Sequence, residues 1–358
     1  MTGPRLVQRS IRLELTGSSE FAYGELGPST PWDEITNALD CAKSEGYNAF
    51  CISSSEHPSG EALELFERAR SLGFSTTLEC PARMLVSSAR VDRRILQLNS
   101  VQADSCSQSL PQLDGLLDEH RRRGQSFGLS LMLGRDNLDD LPAAAWFAAQ
   151  QRAACLTVQV ANHVERSRTV LSSEQRVWAM LVLAHAHQRH PQVKYEIDLS
   201  HVETVRRDPA SIFALPETLK VREQPLATLA TPLVIAANGN LLPLLKGLGP
   251  RFGLGNLKDA PFPRLVETWK HERAESFAKF CRQVHADICQ NSALPFFNWG
   301  EHLMLHTRRL SAVVPRAEPE GPALARRDLA EISAGLACAR GMLIHSRTGL
   351  RSAGIPTN

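Results

Sequence analysis

Apolar and polar residues alternate every second position in a series of short segments along this chain. Ile11–Thr16 (IRLELT) places Ile11, Leu13 and Leu15 in one phase and Arg12, Glu14 and Thr16 in the other. Val193–Leu199 repeats the pattern, with Lys194, Glu196 and Asp198 as its polar phase. Period two predicts strands. Asn48–Ser53, Phe74–Glu79, Ile95–Gln102, Ser126–Leu133 and Cys155–Val160 are further strand segments. Between them the period lengthens. In Pro31–Ser44, Trp32, Ile35, Leu39 and Ala42 share one helical face, and Gly46 ends the helix. Gly60–Leu72, Leu141–Ala153 and Ser173–Arg189 are the other helices of this half.

Strand, helix, strand at this rhythm predicts βαβ units and a parallel sheet. The expected fold class is α/β, a partial (β/α) TIM-like barrel with a small C-terminal α+β extension. A doubly wound sheet is the alternative, but no G-x-G-x-x-G follows the first strand. Residues 8–225 are assigned to the barrel. After Leu226 the texture changes: LATPLVIAANGNLLPL predicts a hairpin turning at Asn238-Gly239, followed by helices around Phe262–Trp269 and Ala274–Cys289. Residues 226–312 are assigned to the extension. Residues 313–358 form a proline-containing linker, a helix at Leu329–Ile344 and a polar tail.

The polar strand phase carries the candidate chemistry. Helices cover the apolar phase, so Glu14, Thr77, Glu79, Gln97, Asn99 and Asp198 are expected to face the barrel lumen. Unpaired charges in a dry lumen would each cost several kcal/mol. Either a wet ligand cavity opens at the carboxyl ends of the strands, or the charges pair internally, Arg12 with Glu14 or Lys194 with Asp198. Asp198 and His201 flank a strand end at acid–base spacing. His302 and His306 lie one helical turn apart beside Glu301, which is metal-ligand spacing without an evident third ligand.

Composition narrows the field. The chain has 358 residues, 43% of them hydrophobic, and a formal charge of +2. That charge selects no polyanionic partner, and no basic run with interleaved aromatics points to nucleic acid. No stretch approaches the roughly 18 apolar residues of a membrane span. A cytoplasmic protein is expected, with its eight cysteines as reduced thiols; none forms a C-x-x-C pair. Homo-oligomerisation stays open.

Motif order along the chain resembles the radical SAM superfamily, in particular its branch with a SPASM or twitch extension. In that family an E-L-T-like strand end precedes C-x-x-x-C-x-x-C. Its thiolates hold a [4Fe–4S] cluster that binds S-adenosylmethionine. Here Glu14-Leu15-Thr16 is similar, but the three cysteine positions fall on Ser19, Tyr23 and Leu26. Leucine cannot bind iron and serine is a poor ligand. The family's G-G-E-P run, which meets the cofactor's amino group, resembles Ser54-Ser55-Glu56-His57-Pro58, with both glycines replaced by serine. Pro232–Pro243 resembles the extension hairpin, Leu244 taking the place of its cysteine, and Gly253–Leu257 matches the following L-G-N element. The resemblance spans about Ser10–Leu305.

It implies a degenerate member with no [4Fe–4S] cluster and no cofactor, retained S-adenosylmethionine binding being a minor alternative. Degenerate cofactor positions would be Ser19, Tyr23, Leu26, Ser54, Ser55, Glu56 and Asn99. The implied role is a non-radical accessory or peptide-binding protein in a peptide-modification or natural-product pathway, with a peptide substrate or a maturation enzyme as partner. Two alternatives stand beside it. One is a repurposed enzyme working through Glu14, Glu56, Glu79, Asp198 and His201. The other is a non-radical S-adenosylmethionine-dependent enzyme.

Overall fold

Side-chain alternation sorts the strands of one sheet into a polar and an apolar face. In the computed structural model, residues 9–15, 31–54, 59–81, 91–98, 126–161, 170–207, 221–244, 251–290 and 295–312 are described, with single positions at 117, 122 and 248. Seven parallel strands follow in chain order: β1 (Ser10–Glu14), β2 (Ala49–Ser53), β3 (Ser75–Pro81), β4 (Arg93–Gln97), β5 (Phe127–Leu133), β6 (Cys155–Val160) and β7 (Lys194–Ile197). This is the expected α/β architecture, with the strands in sequential parallel order.

Register fixes the two faces. Arg12 lies beside Cys51, Cys51 beside Thr77, and Glu14–Ser53–Glu79–Ile95 form the next row. Gln97, Ser130, Thr157 and Glu196 continue the same phase across β4 to β7. Paired residues share a face, so the polar phase lies together. On the opposite face Leu13, Phe50, Ile52, Leu78, Leu129 and Val158 are buried. Helices Trp32–Ser44 and Gly60–Ser71 supply Ile35, Leu39, Leu65 and Phe66 to the same core. Phe66 meets Phe50 edge-on at 5.8 Å.

The hairpin forms where Asn238-Gly239 predicts it. β9 (Leu233–Ala236) and β10 (Asn240–Pro243) are antiparallel, and Gly239 takes φ +91°, a left-handed value that favours glycine. β9 then pairs in parallel with the free edge of β1, so the hairpin and β11 (Gly255–Asn256) extend the barrel sheet to ten strands. Helices Phe262–Glu272 and Ala274–Gln290 pack around Phe252, whose ring stacks on Phe280 at 4.7 Å. Beyond β7, β8 (Ser200–His201) pairs with β12 (Phe296–Phe297) as a separate two-stranded ladder, leading into helix Trp299–Ala312.

Residues 1–310 pack as one unit and Ser311–Asn358 as a second. The expected helix Leu329–Ile344 lies outside the described residues. Among the described residues, no helix is long and apolar enough to cross a membrane.

Candidate ligand-binding site at the polar face of the barrel

The polar face gathers its charges into a network. Arg12 Nη2 donates to Glu79 Oε2 at 2.6 Å and to Ser53 Oγ at 3.2 Å. Ser130 Oγ donates to Glu79 Oε1 at 3.3 Å. Glu79 and Ser130 stand on β3 and β5, two strand spacings apart, about 9–10 Å in a flat sheet. Short side chains bridge that gap only on a concave surface, so the polar face is the inside of the partial barrel. Glu79 is 4% exposed, while Arg12 and Glu14 side chains keep 29% and 20%. The network is therefore sealed at Glu79 and partly open at Arg12 and Glu14. Burial opposes the Arg12 charge, but Glu79 first, with Glu14, outweighs it and holds the guanidinium pKa above its ordinary value.

Internal pairing follows the expectation in part: Arg12 does pair with Glu14, but Lys194 does not pair with Asp198. Arg12 pairs chiefly with Glu79, and Glu14 lies 3.7 Å from Arg12 Nε. Lys194 pairs with Glu196, not with Asp198. A lysine on β7 shares the polar face with its neighbour two residues on, whereas Asp198 lies past the strand end. Asp198 is held otherwise. Val160 N donates to its Oδ1 and Asn298 Nδ2 to its Oδ2, each at 2.8 Å. Asp198 is exposed as a residue, yet the chain packed around its carboxyl pushes the pKa up to about 6, against those two hydrogen bonds.

His201 does not meet Asp198. Its Nδ1 accepts from Glu203 N at 3.2 Å, and its ring lies edge-on to Phe296 at 5.0 Å. The expected acid–base pair is thus replaced by a helix-start hydrogen bond and a ring contact. His302 packs edge-on to Phe297, and His306 Nδ1 lies 3.5 Å from Asp287. Among the described residues, no group of three or more histidine, cysteine or acidic side chains is placed to hold a metal. Ser54 is buried at the end of β2, where its N–H donates to Glu79 O at 3.0 Å. Ser19, Tyr23, Leu26, Ser55, Glu56 and Asn99 lie outside the described residues.

Four polar residues were not singled out as partners from sequence. Arg176 Nη2 donates to Glu301 Oε2 at 2.8 Å, and these side chains are 6% and 3% exposed. Glu301 N donates to Asn298 Oδ1 at 2.9 Å, and Asn298 continues to Asp198. A chain of polar contacts thus runs from helix Ser173–Arg189 through the start of helix Trp299–Ala312 to the ends of β6 and β7. Ser130 is the fourth. The signal for Arg176 was present: it stands directly before the apolar run Val177–Ala184.

No known protein family matches the chain, and no curated protein matches it in sequence. Its fold does have relatives among solved structures. Streptococcus suis SuiB bound to S-adenosylmethionine superposes with a TM-score of 0.55 at 13% identity, over 76% of this chain and 68% of that one. SuiB bound to its precursor peptide SuiA gives 0.54 at 13% identity, over 75% and 66%. The chain thus spans about two thirds of the length of SuiB. Native anSMEcpe with AdoMet and the Kp18Cys peptide gives 0.50 at 10% identity, over 85% and 96%. These are radical SAM enzymes, and the likeness is one of fold.

The comparison corrects the expectation of no cofactor. That expectation came from Ser19, Tyr23 and Leu26, but the architecture is one crystallised with S-adenosylmethionine in both relatives. The polar face offers a matching donor set. A guanidinium, a partly exposed carboxylate and hydroxyls suit a molecule carrying an ammonium, a carboxylate and ribose hydroxyls. Met132, on the same face of β5 and 42% exposed, adds an apolar surface for a ring. The thiol on this face lies beside Arg12, and burial pushes Cys51 up to about 12, so it is protonated at neutral pH.

Proposed function

We propose that the chain binds S-adenosylmethionine and an extended peptide at the carboxyl ends of its barrel strands, as a binding or accessory component of a peptide-modification pathway. One observation carries this reading. The concave face of the sheet holds a preformed Arg12–Glu79–Ser53–Ser130 network with Glu14 at its open end, on a fold whose solved relatives hold those two ligand classes. A rigid first layer with one accessible carboxylate is a binding surface.

The same geometry favours binding over acid–base chemistry at Glu79. Both of its oxygens are engaged, and a general base needs a free one within reach of its proton. In this reading Arg12 orients the cofactor's carboxylate, Glu14 meets its ammonium, and Met132 lies under an apolar part. When bound, the cofactor supplies an activated sulfonium group. The described residues bind and orient it. Isothermal titration of the full chain with S-adenosylmethionine tests the proposal. Saturable 1:1 binding is expected, weakened at least tenfold by Glu14→Gln. Absence of binding up to millimolar cofactor would overturn it.

A further inference from the structure

We infer that the outer face of helices Leu141–Gln150 and Ser173–Arg189 is a homodimer interface, formed by a second copy packing its Ser173–Arg189 helix antiparallel to the first about a two-fold axis near Leu181. The face is anomalous for a solvated surface. Trp146, Trp178 and Leu181 are 57%, 37% and 63% exposed. Pro142, Ala143, Gln150 and Ala184 are exposed beside them, and no charged side chain is exposed on helix Leu141–Gln150 or between Glu174 and Arg189. Helices that are apolar on both sides are covered on both sides. The sheet covers one side here.

Position along the helix names the occupant. Glu174, Trp178, Leu181, His185 and Arg189 fall at spacings of four, three, four and four, and so form one stripe. The stripe begins with an acid and ends with a base. A two-fold axis at Leu181 brings Glu174 of one copy to the Gln188–Arg189 end of the other. It also sets Trp178 against the partner copy's Ala184 and His185, a large side chain over a small one. The stripe is therefore complementary to itself, as an isologous contact requires. A net charge of +2 adds little repulsion between copies.

The area is consistent. Helices of 10 and 17 residues are about 15 and 25 Å long and about 10 Å wide, giving a flat face of about 400 Å². A standard interface covers about 800 Å² per partner, with an apolar centre and a polar rim. This face supplies such a centre, with tryptophans at the positions where binding energy concentrates.

The test is sedimentation equilibrium of the full chain, with circular dichroism to confirm that each variant is folded. The native chain is expected at twice its 39.5 kDa mass at micromolar concentration. Trp178→Glu and Leu181→Glu should each raise the dissociation constant by about 30-fold or more. Glu174→Arg and Arg189→Glu should each weaken the dimer a few-fold, and together restore it. A native chain that stays monomeric at about 100 µM overturns the inference. So does a dimer indifferent to Trp178→Glu and Leu181→Glu, or a charge reversal that the double variant fails to rescue.

Discussion

The two ends of the barrel treat charge in opposite ways. Around β1 to β3, helices Trp32–Ser44 and Gly60–Ser71 turn charge outward, and Arg68 forks onto Asp40 in the open at 2.8 and 2.6 Å. Inside, the same units leave Glu14 accessible on the polar face. Around β5 to β7 the outer helices show Trp146, Trp178 and Leu181 to the outside, while Arg176 and Glu301 pair in the interior. The first end turns charge to solvent and keeps a partly open polar concavity. The second shows apolar side chains outside and fastens helix Trp299–Ala312 to the barrel by a buried ion pair. The place of a charge is more informative than its presence.

The largest effect should come from the interior pair. Arg176→Ala or Glu301→Ala leaves one charge buried without its partner, so each should lower unfolding free energy by about 3–5 kcal/mol in a urea titration. Replacing both with methionine should cost far less. A small loss in the single variants would mean that water reaches the pair. At the other end, Glu79→Ala should lose about 2 kcal/mol, because Arg12 keeps partial access to solvent and Glu14 nearby. If that loss matched the Arg176 variant, the contrast between an open and a closed network would break.

Asp198 should show its environment through pH. Its carboxyl is raised to about 6 in the folded chain, above the unfolded value of about 3.9. The folded state therefore binds the proton more tightly, and this contribution to stability is present below about pH 4 and lost as pH rises through 6. Asp198→Asn should thus gain stability relative to the native chain between pH 4 and pH 6.5, measured by denaturant titration at each pH. An unchanged difference would place the carboxyl in bulk-like solvent. The smallest effect belongs to the exposed pair: Arg68→Ala should change stability little, and by still less as salt rises.

Much of this architecture was legible because strand alternation and helix spacing are local. Cys155–Val160 and Ser173–Arg189 form with the bounds read from the sequence. The polar phase of β1 and β3 also faces one concavity, as Arg12, Glu14 and Glu79 suggested. What could not be read is long range. No local period shows that Leu233–Ala236 docks on β1, 222 positions from Ile11 to Leu233 by subtraction of residue numbers. Asn298 and Glu301 likewise reach Asp198 and Arg176 only through the fold, so Asp198 suggested a lysine or histidine partner that it does not have. Loss of three thiol positions suggested a chain without a cofactor, whereas the fold is shared with S-adenosylmethionine-bound chains.

The central claim is that the polar concavity is the ligand site. Replacing Arg12 and Glu79 together with methionine removes the charged core of that network without stranding either charge, so the chain should still fold. Calorimetric titration with S-adenosylmethionine should then show saturable binding to the native chain and none to the folded double variant. Equal binding by both, or binding by neither, would contradict the account.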